Sequence, residues 1–248
     1  MCFIIKLYSA VSKKIIRKMK EKEGFDMKTF VVEKIKEPGS AITHFIGMLM
    51  AVFATVPLLM RAFSSHNSGN ITSLAIFMLS MILLYAASTL HHTLNISEKA
   101  NVIFRKIDHM MIFVLIAGTY TPVCLVVLSP DKGIPMLALI WGITMVGICI
   151  NALWINCPKW FSSALYIAMG WLVVSVFSQL LVNLSSQAFG WLLAGGIIYT
   201  IGGVIYALKL PIFNARHKMF GSHEIFHLFV IGGSICHFVL MYQYVAVM

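Results

Sequence analysis

The histidines carry the first sign of chemistry. His223 and His227 form HxxxH, which on a helix puts both imidazoles on one face a turn apart, so that two nitrogens can reach one metal ion. Ser88 and His92 share a face in the same register, as SxxxH. Asp108 stands early in an apolar run, where a carboxylate is costly enough to mark a functional position. Three neutral imidazole nitrogens with one open position make a catalytic type of zinc shell, and a carboxylate beside it could orient or deprotonate a water. The fragment His223-Glu224-Ile225-Phe226-His227 also satisfies HExxH, in which the glutamate would be the base of a zinc protease. Spacing alone leaves Asp108 and Glu224 both open as the base. His91 lies about 100° round the helix from His92 and is expected to face elsewhere. His237, about 15 Å deeper than His227 at helical rise, is too far for the same shell but could line a cavity.

The elements that must position these groups are membrane helices. Of 248 residues 59% are hydrophobic and 11% charged, against roughly 25% charged in a soluble domain. The apolar residues fall in blocks of the length that crosses about 30 Å of hydrocarbon. These blocks are Ser40 to Met60, Ile71 to His92, Val102 to Leu128, Gly133 to Leu153, Trp160 to Val182, Ala188 to Leu208 and Ser222 to Tyr244. The expected fold is therefore all-α, an integral membrane bundle of seven transmembrane helices. Residues 37–248 form that domain, and residues 1–36 form a basic tail in which the run Lys13 to Glu23 reads as a surface-lying amphipathic helix. A translation start at Met19 or Met27 would make the tail incidental.

Seventeen of the nineteen Lys and Arg residues fall in the tail, in the loops after the second, fourth and sixth blocks or just inside the third block; Arg61 and Lys132 lie opposite. The positive-inside rule then puts the N-terminus in the cytoplasm and the C-terminus outside. This turns the end of span two and the starts of spans three and seven to the cytoplasmic side, so that His92, Asp108, His223 and His227 meet at one depth. The net charge of +10 follows the membrane surface and does not point to nucleic acid. Five scattered cysteines without a CxxC pair indicate neither a disulfide framework nor a thiolate metal site. The pairs Gly195-Gly196, Gly202-Gly203 and Gly232-Gly233 lie inside spans six and seven, where small residues let helices approach closely.

Four stretches carry a resemblance: Glu37-Pro38-Gly39-Ser40-Ala41-Ile42-Thr43-His44, Ser88-Thr89-Leu90-His91-His92, Lys106-Ile107-Asp108-His109, and Ser222 to Phe238 (SHEIFHLFVIGGSICHF). On these the chain resembles the haemolysin III-like proteins, the bacterial branch of the progestin and adipoQ receptor family, from about residue 30 onwards. The resemblance implies that His92, His223 and His227 bind Zn2+, that Asp108 handles the water at the metal and that Ser88 supports the site. It also implies seven helices, an inward N-terminus and residence in a bacterial cell membrane. Because the family does not fix an acid after the first histidine of span seven, Asp108 is favoured over Glu224 as the base.

The wider superfamily includes ceramidases, which implies a zinc hydrolase acting on a lipid amide or ester, with membrane lipids as partners and a role in lipid homeostasis. A non-enzymatic membrane regulator or receptor with structural zinc is the alternative. A pore-forming cytolysin is disfavoured, because the polar residues gather at one end and do not stripe a helix through the bilayer.

Overall fold

A computed structural model describes residues 35–64, 68–154, 158–208 and 221–248, and among them every regular element is helical. The tail helix expected over Lys13 to Glu23 lies outside these residues. Seven helices are long and apolar enough to cross a membrane: Pro38–Phe63, Asn70–Thr93, Glu98–Val127, Pro130–Leu153, Trp160–Asn183, Ser186–Leu208 and Ser222–Val247. They are called spans one to seven below. Most begin before the apolar block that announced them. Hydropathy marks only the hydrocarbon core, whereas a helix continues through the interfacial layer with polar residues such as Glu98, Lys99 and Asp131.

Local signals set several of these ends. Pro38 and Pro130 stand in the first turns of spans one and four, where the missing N–H costs nothing. The Ser97 hydroxyl caps span three by accepting from the Ala100 N–H at 3.2 Å. Lys106 Nζ donates to the Ala152 carbonyl at 2.6 Å, placing a cation at the C-terminal end of span four. Span three ends in a π-helical turn, Val123–Val127, directly after Pro122, and span five is interrupted by a 3-10 segment, Leu172–Val176. The Tyr120 hydroxyl fills that break, donating to the Gly170 carbonyl and accepting from the Val173 N–H at 2.8 Å.

Span two packs most extensively, against spans one and three, and span seven lies between spans six and one. Small residues permit the close crossings. A Cβ on Gly202 would come within 2.7 Å of the Phe229 Cβ, and one on Gly233 within 2.6 Å of the Tyr199 ring, so both glycines serve packing. Gly196 is different: a Cβ there would meet nothing within 4 Å, because this residue borders a cavity.

Candidate metal centre

The helix of span seven begins at Ser222, so His223 and His227 sit on its first two turns, one above the other. His92 ends span two and reaches the same point: its Nε2 lies 3.3 Å from Nε2 of His223. One donor nitrogen from each of His92, His223 and His227 lies within 4.8 Å of the other two. Zn–N arms of about 2.05 Å at the tetrahedral angle imply a nitrogen to nitrogen separation of roughly 3.3 Å. The His92–His223 spacing thus fits a shared metal ion, and the donor set suits one.

The outer nitrogens are held as a metal site requires. Nδ1 of His92 and Oε2 of Glu37 are 2.5 Å apart, which leaves Nε2 of His92 with its lone pair facing His223. That hydrogen bond is the main reason the Glu37 carboxyl falls from its ordinary value to about 2; burial opposes it and the Lys36 charge assists, so Glu37 is ionised at neutral pH. Nδ1 of His227 lies 3.2 Å from Thr43 Oγ1, whose own proton goes to the Ser40 carbonyl. The Thr43 hydroxyl therefore accepts from Nδ1–H, and Nε2 of His227 is again left free.

Asp108 is buried with a carboxylate oxygen 4.0 Å from Nε2 of His92, beside the histidine triad. The fully buried Ser88 hydroxyl feels that carboxylate but makes no hydrogen bond of ordinary geometry. Glu224 is occupied elsewhere. Its Oε1 accepts from the Ser40 hydroxyl at 2.6 Å and its Oε2 from the Gly221 N–H at 2.8 Å, which closes the first turn of span seven and ties it to span one.

All five residues singled out for the site, Ser88, His92, Asp108, His223 and His227, border one cavity or the triad beside it. His91 departs from expectation. It is buried with an unpartnered Nδ1, and donors of His91, His92 and Asp108 also lie within 4.8 Å of one another, because the end of span two is enclosed by neighbours on both flanks. Sequence reasoning left Glu37, Ser40, Thr43 and His44 without roles. Their signal was there: polar residues three or four apart on one face of an otherwise apolar span. His44 stacks on His227 with ring centroids 3.6 Å apart, and neither of its nitrogens has a partner. Ser163, a buried unpartnered hydroxyl near the start of span five, had no sequence signal at all.

The cavity is lined by residues of every span except the fourth. Its walls run along span six from Tyr206 beside the histidines to Phe189. Those residues are 17 positions apart in sequence, about 26 Å at helical rise. Beyond the histidine end the lining is mostly apolar, as at Leu115, Ile116, Val173, Phe177 and Leu192.

Comparison with protein families matches residues 32–238 to the family described as Haemolysin-III related. The chain is 37% identical to Hemolysin-3 of Bacillus cereus over 220 residues, covering 88% of this chain and 94% of that protein. It is likewise 37% identical to the Hemolysin-3 homolog of Bacillus subtilis (strain 168), over 82% of this chain and 91% of the relative. A distant likeness, 23% identity, extends to an adiponectin receptor protein of Drosophila melanogaster, of which 49% is covered. Seven apolar spans and bacterial relatives make this a multi-pass protein of a bacterial membrane. The chain belongs to the haemolysin III-related family.

Proposed function

We propose that the protein is a zinc-dependent hydrolase of membrane lipid amides or esters, acting in membrane lipid homeostasis. The observation that carries this reading is the single cavity that joins the histidine cluster and Asp108 to a long apolar channel. His92, His223 and His227 would hold the metal and leave a coordination position open. Zinc bound there supplies Lewis acidity, which acidifies a water and polarises a carbonyl oxygen.

The remaining steps belong to the chain. Asp108 takes the proton of the attacking water and returns it to the leaving amine or alkoxide. The Ser88 hydroxyl, which lies against the Asp108 carboxylate, donates to the developing oxyanion. Glu37 and Thr43 keep the imidazoles of His92 and His227 in the tautomer whose Nε2 can bind. The apolar channel receives the acyl chain, expels water and sets the scissile carbonyl at the polar end. Glu224 has both oxygens in structural hydrogen bonds, which supports Asp108 as the base.

The orientation proposed with this reading has the N-terminus and the histidine end in the cytoplasm and the C-terminus outside. It is supported by the seventeen to two distribution of basic residues. A second reading, a membrane regulator with structural zinc, has support of its own: the triad and its hydrogen-bond partners draw on spans one, two and seven, so a metal would pin three helices. A pore has less support, because beyond the histidine end the cavity walls are mostly apolar.

The deciding experiment is to incubate the purified, zinc-loaded protein with a panel of ceramides, lysolipids and acyl esters. Fatty acid release that stops on chelation and returns with zinc is expected. No release from any lipid, together with a chelator-sensitive melting temperature, would favour the structural role.

A further inference from the structure

Among the described residues, four of the cavity's lining side chains have a buried polar atom without a hydrogen-bond partner: His44, Ser88, Ser163 and His237. The first three stand at the metal end. His237 does not; it lies about 15 Å further along span seven than His227, among apolar walls. The ring is more than nine-tenths buried and stacks on Tyr199, with centroids 5.4 Å apart. Span six makes room for it with a glycine, since a Cβ on Gly195 would fall 2.7 Å from Nε2 of His237.

The polar groups beside it and elsewhere along the cavity wall are already satisfied. The hydroxyls of Tyr199 and Tyr85 meet at Ser234 Oγ, at 2.9 and 2.7 Å. Trp171 Nε1 donates to Thr200, which donates to the Gly196 carbonyl, and Thr119 donates to the Leu115 carbonyl. A buried imidazole nitrogen left unpaired is costly, and a trapped water would find few other partners at this depth.

We infer that His237 is a mid-channel selectivity residue that recognises a hydroxyl group on the acyl chain of the lipid, so that the preferred ligand is a mid-chain-hydroxylated acyl chain. This deepens the reading of the cavity as an acyl channel and rests on it. An alcohol both donates and accepts, so it satisfies either tautomer of a neutral imidazole. An extended chain advances roughly 1.25 Å per carbon, which brings a hydroxyl near the twelfth carbon level with His237 when the carboxyl end sits at the histidine triad.

The test is displacement of a fluorescent fatty acid from the zinc-loaded full chain in detergent by octadecanoate and its 12-hydroxy and 17-hydroxy derivatives. Wild type should bind the 12-hydroxy acid about tenfold more tightly than octadecanoate, the equivalent of one net hydrogen bond. The 17-hydroxy isomer, whose hydroxyl falls beyond His237, should gain nothing. His237→Phe should keep its affinity for octadecanoate and lose the preference, while His237→Gln, which retains a donor and an acceptor, should keep part of it. Equal binding of the 12-hydroxy acid and octadecanoate by wild type overturns the assignment even if no variant folds, as does a preference that survives in His237→Phe. Failure of every fatty acid to displace or to bind would instead refute the acyl channel, and this assignment with it.

Discussion

Nε2 of His92 and Nε2 of His223 face each other at 3.3 Å across the boundary between spans two and seven. Nδ1 of His92 is already engaged with Glu37, so Nε2 is the nitrogen left to meet His223, at a spacing that suits a hydrogen bond or a shared divalent cation.

Replacing His223 or His227 with Ala is expected to take bound zinc from one per chain to near zero and to lower the melting temperature by several degrees. Stripping zinc from wild type with a chelator should give a similar shift, and the variants should no longer respond to chelator. Metal analysis and thermal unfolding in detergent check both points; a variant that keeps a full equivalent of zinc would remove that histidine from the metal shell.

Glu37→Gln tests the support of His92 from outside the metal shell. Losing the carboxylate should weaken zinc binding about 10- to 100-fold without emptying the site at saturating zinc. Competition against a chromophoric chelator reads this directly, and an unchanged affinity would mean that Glu37 only anchors the start of span one.

Asp108→Ala should leave most of the zinc in place and reduce any zinc-dependent fatty acid release at least about 100-fold. Glu224→Gln should leave release near wild type, with a stability loss of about 1 kcal/mol from the weakened first turn of span seven. The reverse pattern, activity lost in Glu224→Gln and kept in Asp108→Ala, would establish the protease-like base.

The orientation is checked with a reporter fused after Met248 that is active only in the cytoplasm. It should be silent, while a cysteine introduced in the loop 94–97 should react with an impermeant reagent only after the inner face is exposed. A bright C-terminal fusion would invert the topology and move the histidine end outside.

Gly233→Ala should destabilise the bundle by about 1–3 kcal/mol, because its Cβ would fall 2.6 Å from the Tyr199 ring at the contact of spans six and seven. Gly196→Ala, facing open space, should cost far less. Equal melting temperatures for the two variants would contradict the packing role assigned to Gly233.

The sequence by itself determined the seven spans, because crossing the bilayer demands a run of apolar residues long enough to read without any tertiary contact. It also determined the HxxxH face of span seven, since that geometry is internal to one helix. The four resembling stretches contain His92, Asp108, His223 and His227 together with their partners Glu37, Ser40 and Thr43. Only the tertiary structure showed which of those residues contact one another. That His91 and His92 stand beside Asp108, that Glu37 and Thr43 hold imidazoles from another span, and that Glu224 is tied to Ser40 are contacts between segments distant in sequence. Helical periodicity gives a residue's angle about its own axis, whereas the partner it meets depends on how neighbouring helices rotate and cross, and packing sets that across the whole bundle.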